Sequence, residues 1–155
     1  MCSDFFISLL QLTRMKKKKI SIIDDDEELL FLLQDFLKQE GYQVKTYSHT
    51  TFIDVLEKDD YDLLILDVWF NATQAGVEMA QAIKNRKNLQ KKPIIMMSSD
   101  TTIQHHASLA SVKKFLSKPI NFDALIDTIH TLFSEKATPQ LSRGFATYTQ
   151  IREQI

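Results

Sequence analysis

The sequence predicts an α/β protein with a doubly wound, five-stranded parallel sheet and helices on both faces. Short apolar runs alternate with longer stretches of helical spacing between Lys19 and Phe133. Such short apolar runs are typical of strands buried on both faces of a parallel sheet. Strands alternating with helices imply right-handed crossovers. Because five such units are too few to close an eight-stranded barrel, we expect an open sheet.

The five predicted strands are four apolar runs and one segment with alternating apolar and polar residues. In chain order they are Ile20–Ile23, the alternating Tyr42–Tyr47, Leu63–Leu66, Ile94–Met97 and Phe115–Leu116.

Each strand is followed by a predicted helix. The first helix is predicted to stop at Gly41, because glycine is favoured just after a helix, and the last to begin at a cap provided by Asn121 or Asp123. Thr50–Lys58 and Thr101–Leu109 have weaker helical patterns. The apolar stripes of the other three are Leu29, Leu30, Leu33, Phe36 and Leu37; Val77, Ala80 and Ile83; and Phe122, Leu125, Ile126, Ile129 and Leu132.

Length and composition indicate a soluble globular protein with one domain. Of the 155 residues, 44% are hydrophobic and 25% charged, and the net charge of −1 gives no general attraction to nucleic acid or anionic membrane. No stretch reaches the roughly 18 apolar residues of a membrane span. Because the single cysteine, Cys2, has no partner for an internal disulfide, we expect a cytoplasmic location.

Residues 16–134 are expected to form the domain. Residues 1–15 are expected to be an N-terminal extension, and a translation start at Met15 would leave residues 1–14 outside the native protein. Residues 135–155 form a tail too short for an independent domain, so we expect no separate output domain.

Polar residues follow four of the predicted strands. They are Asp24 and Asp25 after the first strand, Asp67 after the third, Ser98 after the fourth and Lys118 after the fifth. Because the carboxyl ends of parallel strands meet at one edge of a sheet, we expect these side chains to converge.

Such a group of side chains suits phosphoryl transfer to a carboxylate. Neighbouring carboxylates resist ionisation unless a cation intervenes, and oxygen-rich clusters suit Mg²⁺. Lys118 adds a positive charge, and the Ser98 hydroxyl can donate to an oxyanion. Transfer requires a positioned acceptor and neutralised charge on the transferring group. The arrangement predicts an aspartyl-phosphate site.

These motifs, in this order, resemble the signature of the response regulator receiver domain (CheY-like). They are Ile22–Asp26, Leu66–Asp67, Met97–Ser99 and Phe115–Pro119, and the resemblance covers roughly Lys17 to Phe133. It implies a flavodoxin-like sheet with strand order 2-1-3-4-5 and a signalling switch in a two-component phosphorelay.

The resemblance also implies roles for individual residues. Asp67 would be the phosphoacceptor, and Mg²⁺ would be held by Asp24, Asp25, Asp67 and the main-chain carbonyl of Trp69.

Three further roles follow from the same resemblance. Ser98 would be the switch hydroxyl, Phe115 the switch aromatic and Lys118 the phosphate-binding lysine, and Lys118–Pro119 would be a cis peptide.

The partners implied are a sensor histidine kinase or a histidine phosphotransfer protein as donor, and an unknown protein target for output. Direct contact with nucleic acid or membrane is not expected, and a phosphorylation-dependent dimer stays open. The chain would not be an enzyme that turns over a separate substrate, since it would catalyse only phosphoryl transfer to itself and its own slow dephosphorylation.

The sequence departs from the family pattern in its loops. Asn71 stands where a proline is usual, and Gly76 comes one residue late, which indicates an insertion after Asp67. Ser111 replaces a usual glycine, and the short interval between Ser98 and Lys118 indicates an abbreviated fourth helix.

Two other functions use a similar sheet and site. A phosphatase with an aspartate nucleophile would need a second aspartate at position 69, where this chain has Trp69. A degenerate receiver that acts as an unphosphorylated adaptor is kept as the alternative, because of the altered loop. His105 and His106 are expected to be surface residues, since adjacent side chains on a helix point apart.

Overall fold

The computed structural model describes residues 16–48, 53–70, 72–100, 102 and 112–137. Its five strands pair in parallel in the order β2-β1-β3-β4-β5. They are β1 Lys19–Ile23, β2 Gln43–Tyr47, β3 Leu63–Asp67, β4 Ile94–Ser98 and β5 Lys114–Ser117. The predicted fold class and strand order are confirmed, and each strand lies within a residue or two of its predicted position.

Four helices lie within the described residues, and they confirm the first, second, third and last predicted helices. They are α1 Glu27–Gln39, α2 Ile53–Lys58, α3 Ala75–Lys84 and α4 Phe122–Ala137. The predicted helix over Thr101–Leu109 falls outside the described residues except for Thr102. The predictions on residues 1–15, Asn71, His105, His106, Ser111 and the tail after Ala137 also fall outside them.

Local chemistry at both ends explains the bounds of α1. The Asp26 carboxylate accepts hydrogen bonds from the main-chain N–H groups of Glu28 (3.1 Å) and Leu29 (3.0 Å), as an N-cap residue does. Gly41, with φ of +91°, follows the last turn in a left-handed conformation that glycine adopts without strain. The predicted stop at Gly41 is therefore correct.

Both faces of the sheet are covered. Every residue of β3 and β4 is buried, although successive side chains of a strand point to opposite faces. On one face, α2 and α3 pack on the sheet in a single cluster that includes Leu56, Met79, Ala80, Ile83, Leu64, Leu66 and Met96. Helix α1 buries Leu30, Leu33 and Leu37, none of which belongs to that cluster.

The chain divides into two compact units, Met1–Pro119 and Ile120–Ile155, and α4 belongs to the second. The Asn121 side chain accepts a hydrogen bond from the N–H of Ala124 (2.9 Å), so the predicted cap is correct. Leu125, Ile129 and Leu132 of the predicted stripe are buried. None of the helices described is long and apolar enough to cross a membrane.

The two edge strands carry lysines. Lys114 is exposed in β5. In β2, Lys45 extends from the edge strand and forms an ion pair with Asp59, whose side chain is 6% exposed. Both outer strands of the sheet therefore carry a positively charged side chain.

Candidate functional site

Asp24, Asp67 and Lys118 meet at the carboxyl edge of the sheet. Asp67 is the last residue of β3, Asp24 follows β1, and Lys118 follows β5. The Lys118 ammonium lies 2.7 Å from Oδ2 of Asp24 and 3.0 Å from Oδ1 of Asp67. Both carboxylates are buried, and the lysine side chain is 20% exposed. The predicted convergence of these three side chains is therefore present in the structure.

Asp25 completes a group of carboxylates that could hold a metal ion. One oxygen each from Asp24, Asp25 and Asp67 lies within 4.8 Å of the others, and Asp25 is exposed to solvent. Mg²⁺ binds carboxylate oxygens and keeps several of its waters, so one exposed ligand beside two buried ones suits it. The residues present therefore fit the predicted ion.

The electrostatics of the site favour an added cation. Burial, together with the negative charge of Asp24, raises the pKa of Asp67 to about 6 although Lys118 opposes the shift. Burial alone would lower the pKa of Lys118, but its contacts with Asp24 and Asp67 outweigh burial and raise it. One ammonium group thus contacts two buried carboxylates, and its single positive charge cannot neutralise both of them.

The raised pKa of Asp67 leads to a prediction for Asp67→Asn. The pKa of Asp67 in the folded protein, about 6, exceeds that of an ordinary aspartate. Ionisation of Asp67 above pH 6 therefore destabilises the folded state. Below pH 4 Asp67 is protonated in both the folded and the unfolded state, and this cost disappears. We expect the variant to be more stable than the parent at pH 7.5 by roughly 1–3 kcal/mol. Urea denaturation without metal checks it.

The gain in stability is expected to shrink toward zero at pH 4 and to decrease when Mg²⁺ stabilises the parent. A variant that is less stable than the parent at pH 7.5 would contradict the cost assigned to ionising Asp67 in the folded protein. Asp127→Asn, which changes an exposed carboxylate within α4, is the control for a general effect of removing negative charge.

Ser98 and Phe115 lie on the neighbouring strands. Ser98 is the buried last residue of β4, and its hydroxyl oxygen accepts a hydrogen bond from the N–H of Asp100 (3.0 Å). Its carbonyl accepts one from the N–H of Lys118 (2.8 Å), which ties β4 to the residue after β5. Phe115 is half-buried and packs against the core. The predicted cis peptide between Lys118 and Pro119 is present.

The loop after Asp67 forms a small, closed turn. Phe70 and Thr73 exchange main-chain hydrogen bonds of 2.9 and 2.8 Å, and Ala72 between them has φ of +61°. Phe70 is buried, and the Trp69 N–H donates to Oδ2 of Asp67 at 3.1 Å. The predicted contact of Trp69 with a metal, through its carbonyl, stays a prediction.

Gly76 ends this loop because nothing larger fits. It is the second residue of α3, and its N–H donates to the Val68 carbonyl at 3.0 Å. A Cβ at this position would lie 2.0 Å from the main-chain oxygen of Asp67. The helix therefore approaches the acceptor strand as closely as the backbone allows.

Sequence reasoning missed two residues linked to the site by hydrogen bonds, Tyr47 and Asp59. The Tyr47 carbonyl accepts a hydrogen bond from the N–H of Asp24 (3.2 Å), and the Tyr47 hydroxyl donates to Asp59 (2.8 Å). In the sequence, Asp59 has the appearance of a turn residue between a helix and a strand. The one available signal was the alternation of β2, which places Lys45 and Tyr47 on the same face.

Comparison with known proteins agrees with this geometry. The family model of the response regulator receiver domain matches residues 20–130. The regulatory protein VanR of Enterococcus faecium is 32% identical over 104 residues, which are 65% of this chain and 43% of that protein. A putative NtrX-like response regulator of Rickettsia felis is 28% identical over 116 residues, 72% of this chain and 24% of that protein. The chain thus spans less than half the length of these relatives.

Solved structures show the same fold. Response regulator TrrA of Thermotoga maritima, in complex with Mg²⁺-BeF, is 27% identical with a TM-score of 0.67, over 74% of this chain and 98% of that one. Chemotaxis protein CheY4 of Vibrio cholerae is 22% identical with a TM-score of 0.69, over 75% and 98%. With the family model matched over most of the sheet and its site, this chain belongs to the response regulator receiver domain family.

Proposed function

We propose that the chain is a phosphorylation-dependent switch that accepts a phosphoryl group on Asp67. The donor would be a phosphohistidine of a sensor histidine kinase or of a histidine phosphotransfer protein. A carboxylate oxygen of Asp67 forms a bond to phosphorus while the phosphorus–nitrogen bond to the donor breaks, and the imidazole leaves with the electron pair.

One observation carries this proposal. Asp67 is buried between an ammonium 3.0 Å away and two further carboxylates whose oxygens lie within 4.8 Å. A buried acceptor flanked by a fixed positive charge suits the transfer of an anionic group. The relative TrrA, which has a structure with Mg²⁺-BeF, supports the same use of the ion here.

We propose that Asp24, Asp25, Asp67 and the Trp69 carbonyl hold Mg²⁺ in this chain. The ion supplies positive charge that neutralises the oxygens of the transferring group. Lys118, which follows β5, adds a second positive charge. Its ammonium contacts both buried carboxylates. Its contact with Asp67 can pass to the phosphoryl oxygens once the acceptor is modified.

The same charges explain how phosphorylation would change the surface. The phosphoryl group adds negative charge at Asp67 and attracts the Ser98 hydroxyl, whose oxygen otherwise accepts from Asp100. Phe115, half-buried one strand away, would move into the space that Ser98 vacates. We propose that the output is a contact with another protein, and that a phosphorylation-dependent dimer is one form it can take.

The proposal is tested by intact mass after incubation with Mg²⁺ and acetyl phosphate. We expect the parent to gain one phosphoryl group and Asp67→Asn to gain none, because the amide is no nucleophile at this site. No gain by a folded parent, with acetyl phosphate and then with a set of phosphorylated phosphotransfer proteins, would reject phosphoacceptance.

The alternative function is a degenerate receiver that binds partners without phosphorylation. The departures of the loop after Asp67 from the family pattern, at Asn71 and Gly76, favour this alternative. Trp69 distinguishes the two, because it is the only tryptophan and its N–H contacts Asp67. A Mg²⁺-dependent fluorescence change that Asp25→Asn weakens supports the switch, and no change up to tens of millimolar supports the adaptor.

A further inference from the structure

A group of polar side chains around the buried carboxylate of Asp59 has no part in the proposed chemistry. It consists of Asp59, Ser21, Lys45 and Tyr47, here called the Asp59 cluster. The Asp59 carboxylate accepts hydrogen bonds from the hydroxyls of Ser21 (3.0 Å) and Tyr47 (2.8 Å) and from the Lys45 ammonium. Although Asp59 directly follows α2, its side chain is only 6% exposed.

Asp59 is a costly residue to bury here, because its ion-pair partner Lys45 is 66% exposed and only partly compensates for the lost hydration of the carboxylate. A buried carboxylate is tolerated only when donors and a cation compensate for its lost hydration, and apolar residues of similar volume often stabilise as well or better. Burial raises the pKa of Asp59, but the bonds from Lys45, Tyr47 and Ser21 outweigh burial and lower it. The carboxylate is thus held in its charged form, as an acceptor for three side chains.

Tyr47 connects this cluster to the acidic site. It is the last residue of β2, an edge strand that, among the strands described, pairs with β1 alone. At this end of the strand its carbonyl accepts the hydrogen bond from the Asp24 N–H, and its hydroxyl is bound to Asp59. The end of an edge strand separates easily from its neighbour, so a side-chain anchor there also holds the main-chain partner of Asp24.

We infer that Asp59 and Tyr47 are positioning residues that hold Asp24 in the acidic site. The inference rests on the proposed function, in which Asp24 binds Mg²⁺ and contacts Lys118. Neither residue touches the reacting atoms; the hydroxyl of Tyr47 fixes the end of β2, and the Tyr47 carbonyl fixes the main chain of Asp24. The acidic site therefore depends on a carboxylate that lies between α2 and β3.

The experiment compares Tyr47→Phe with Ser21→Ala. Each variant removes one hydroxyl that donates to the same oxygen, Oδ2 of Asp59, so both weaken the Asp59 cluster. Only Tyr47 also bonds to Asp24 through its main chain. Two quantities are measured on the full chain: the amide exchange rate of Asp24 without metal, and the Mg²⁺ midpoint from Trp69 fluorescence.

We expect Tyr47→Phe to accelerate exchange at Asp24 by roughly 3- to 10-fold relative to amides in β3, which is the value of one hydrogen bond. The Mg²⁺ midpoint should rise by a similar factor, roughly 3- to 10-fold. Ser21→Ala should change neither quantity selectively. Asp59→Asn, which keeps an acceptor oxygen but loses the charge, should behave as a milder version of Tyr47→Phe.

Two outcomes would overturn the inference. One is that the amide exchange rate of Asp24 changes by the same factor as the rates of the β3 amides in both variants. The Asp59 cluster would then stabilise the whole fold without positioning Asp24. The other is selective exchange with an unchanged Mg²⁺ midpoint. A parent that does not respond to Mg²⁺ counts against the metal in the proposed function instead, and the exchange rates, which need no metal, still decide the role of Tyr47.

Discussion

Lys118→Met is expected to reduce the free energy of unfolding by about 3–5 kcal/mol at pH 7.5 without metal. The Lys118 ammonium lies within 3.0 Å of both Asp24 and Asp67, and its loss would leave two buried carboxylates close together without a cation. Methionine keeps the length of the side chain, so the loss reports on charge. Urea denaturation of both proteins measures it.

The pH dependence of this loss has a definite sign. Asp67 already has a pKa of about 6 with Lys118 present, and removal of the lysine raises it further. The destabilisation should therefore be largest above pH 7 and should decrease as Asp67 is protonated at pH 5. Added Mg²⁺ should restore part of the stability. Lys114→Met, at an exposed lysine of β5, is the matched control, and an equal loss in that variant would contradict the prediction.

Gly76→Ala is expected to destabilise the protein by roughly 2–4 kcal/mol and to prevent phosphorylation of Asp67. The added Cβ would lie 2.0 Å from the Asp67 oxygen and 2.7 Å from Cα of Val68. Neither atom is the end of a flexible side chain, so α3 or the end of β3 has to shift. The acceptor carboxylate moves with it. Thermal unfolding and intact mass after acetyl phosphate treatment measure the two effects.

Gly41→Ala provides the comparison. It adds the same methyl group where nothing lies within 4 Å, and the φ of +91° at this position is its only cost. We expect a loss of about 1 kcal/mol and normal phosphorylation. Equal losses in both variants would mean that the close approach of α3 to Asp67 has no energetic consequence.

The sheet could be predicted from sequence because its central strands are continuous apolar runs. The runs Leu63–Leu66 and Ile94–Met97 are apolar at every position, and the structure buries each of them completely. Since parallel strands end at one edge, the positions of Asp67 and Lys118 followed from the order of the strands. The contacts among Asp24, Asp67 and Lys118 therefore required no knowledge of loop geometry.

The remainder depends on contacts that no local pattern encodes. Asp59 bonds to Ser21, which is 38 residues away in the chain, and to Tyr47 on a different strand. Each of these residues, taken alone, is of a type that is common in turns, in strands or at the surface. The close approach of Gly76 to Asp67 is similar, because the sequence indicated an inserted residue but not which backbone atoms would meet.

The lysines on the outer strands restrict how copies of this chain can associate. An edge strand has unpaired main-chain groups that can recruit a strand from another molecule, which leads to aggregation as readily as to specific assembly. Lys45 in β2 points its charge toward buried Asp59, and Lys114 is exposed in β5. A strand added at either edge would have to bury or displace an ammonium group. Assembly of this protein should therefore proceed through helices and loops, and leave the sheet five strands wide.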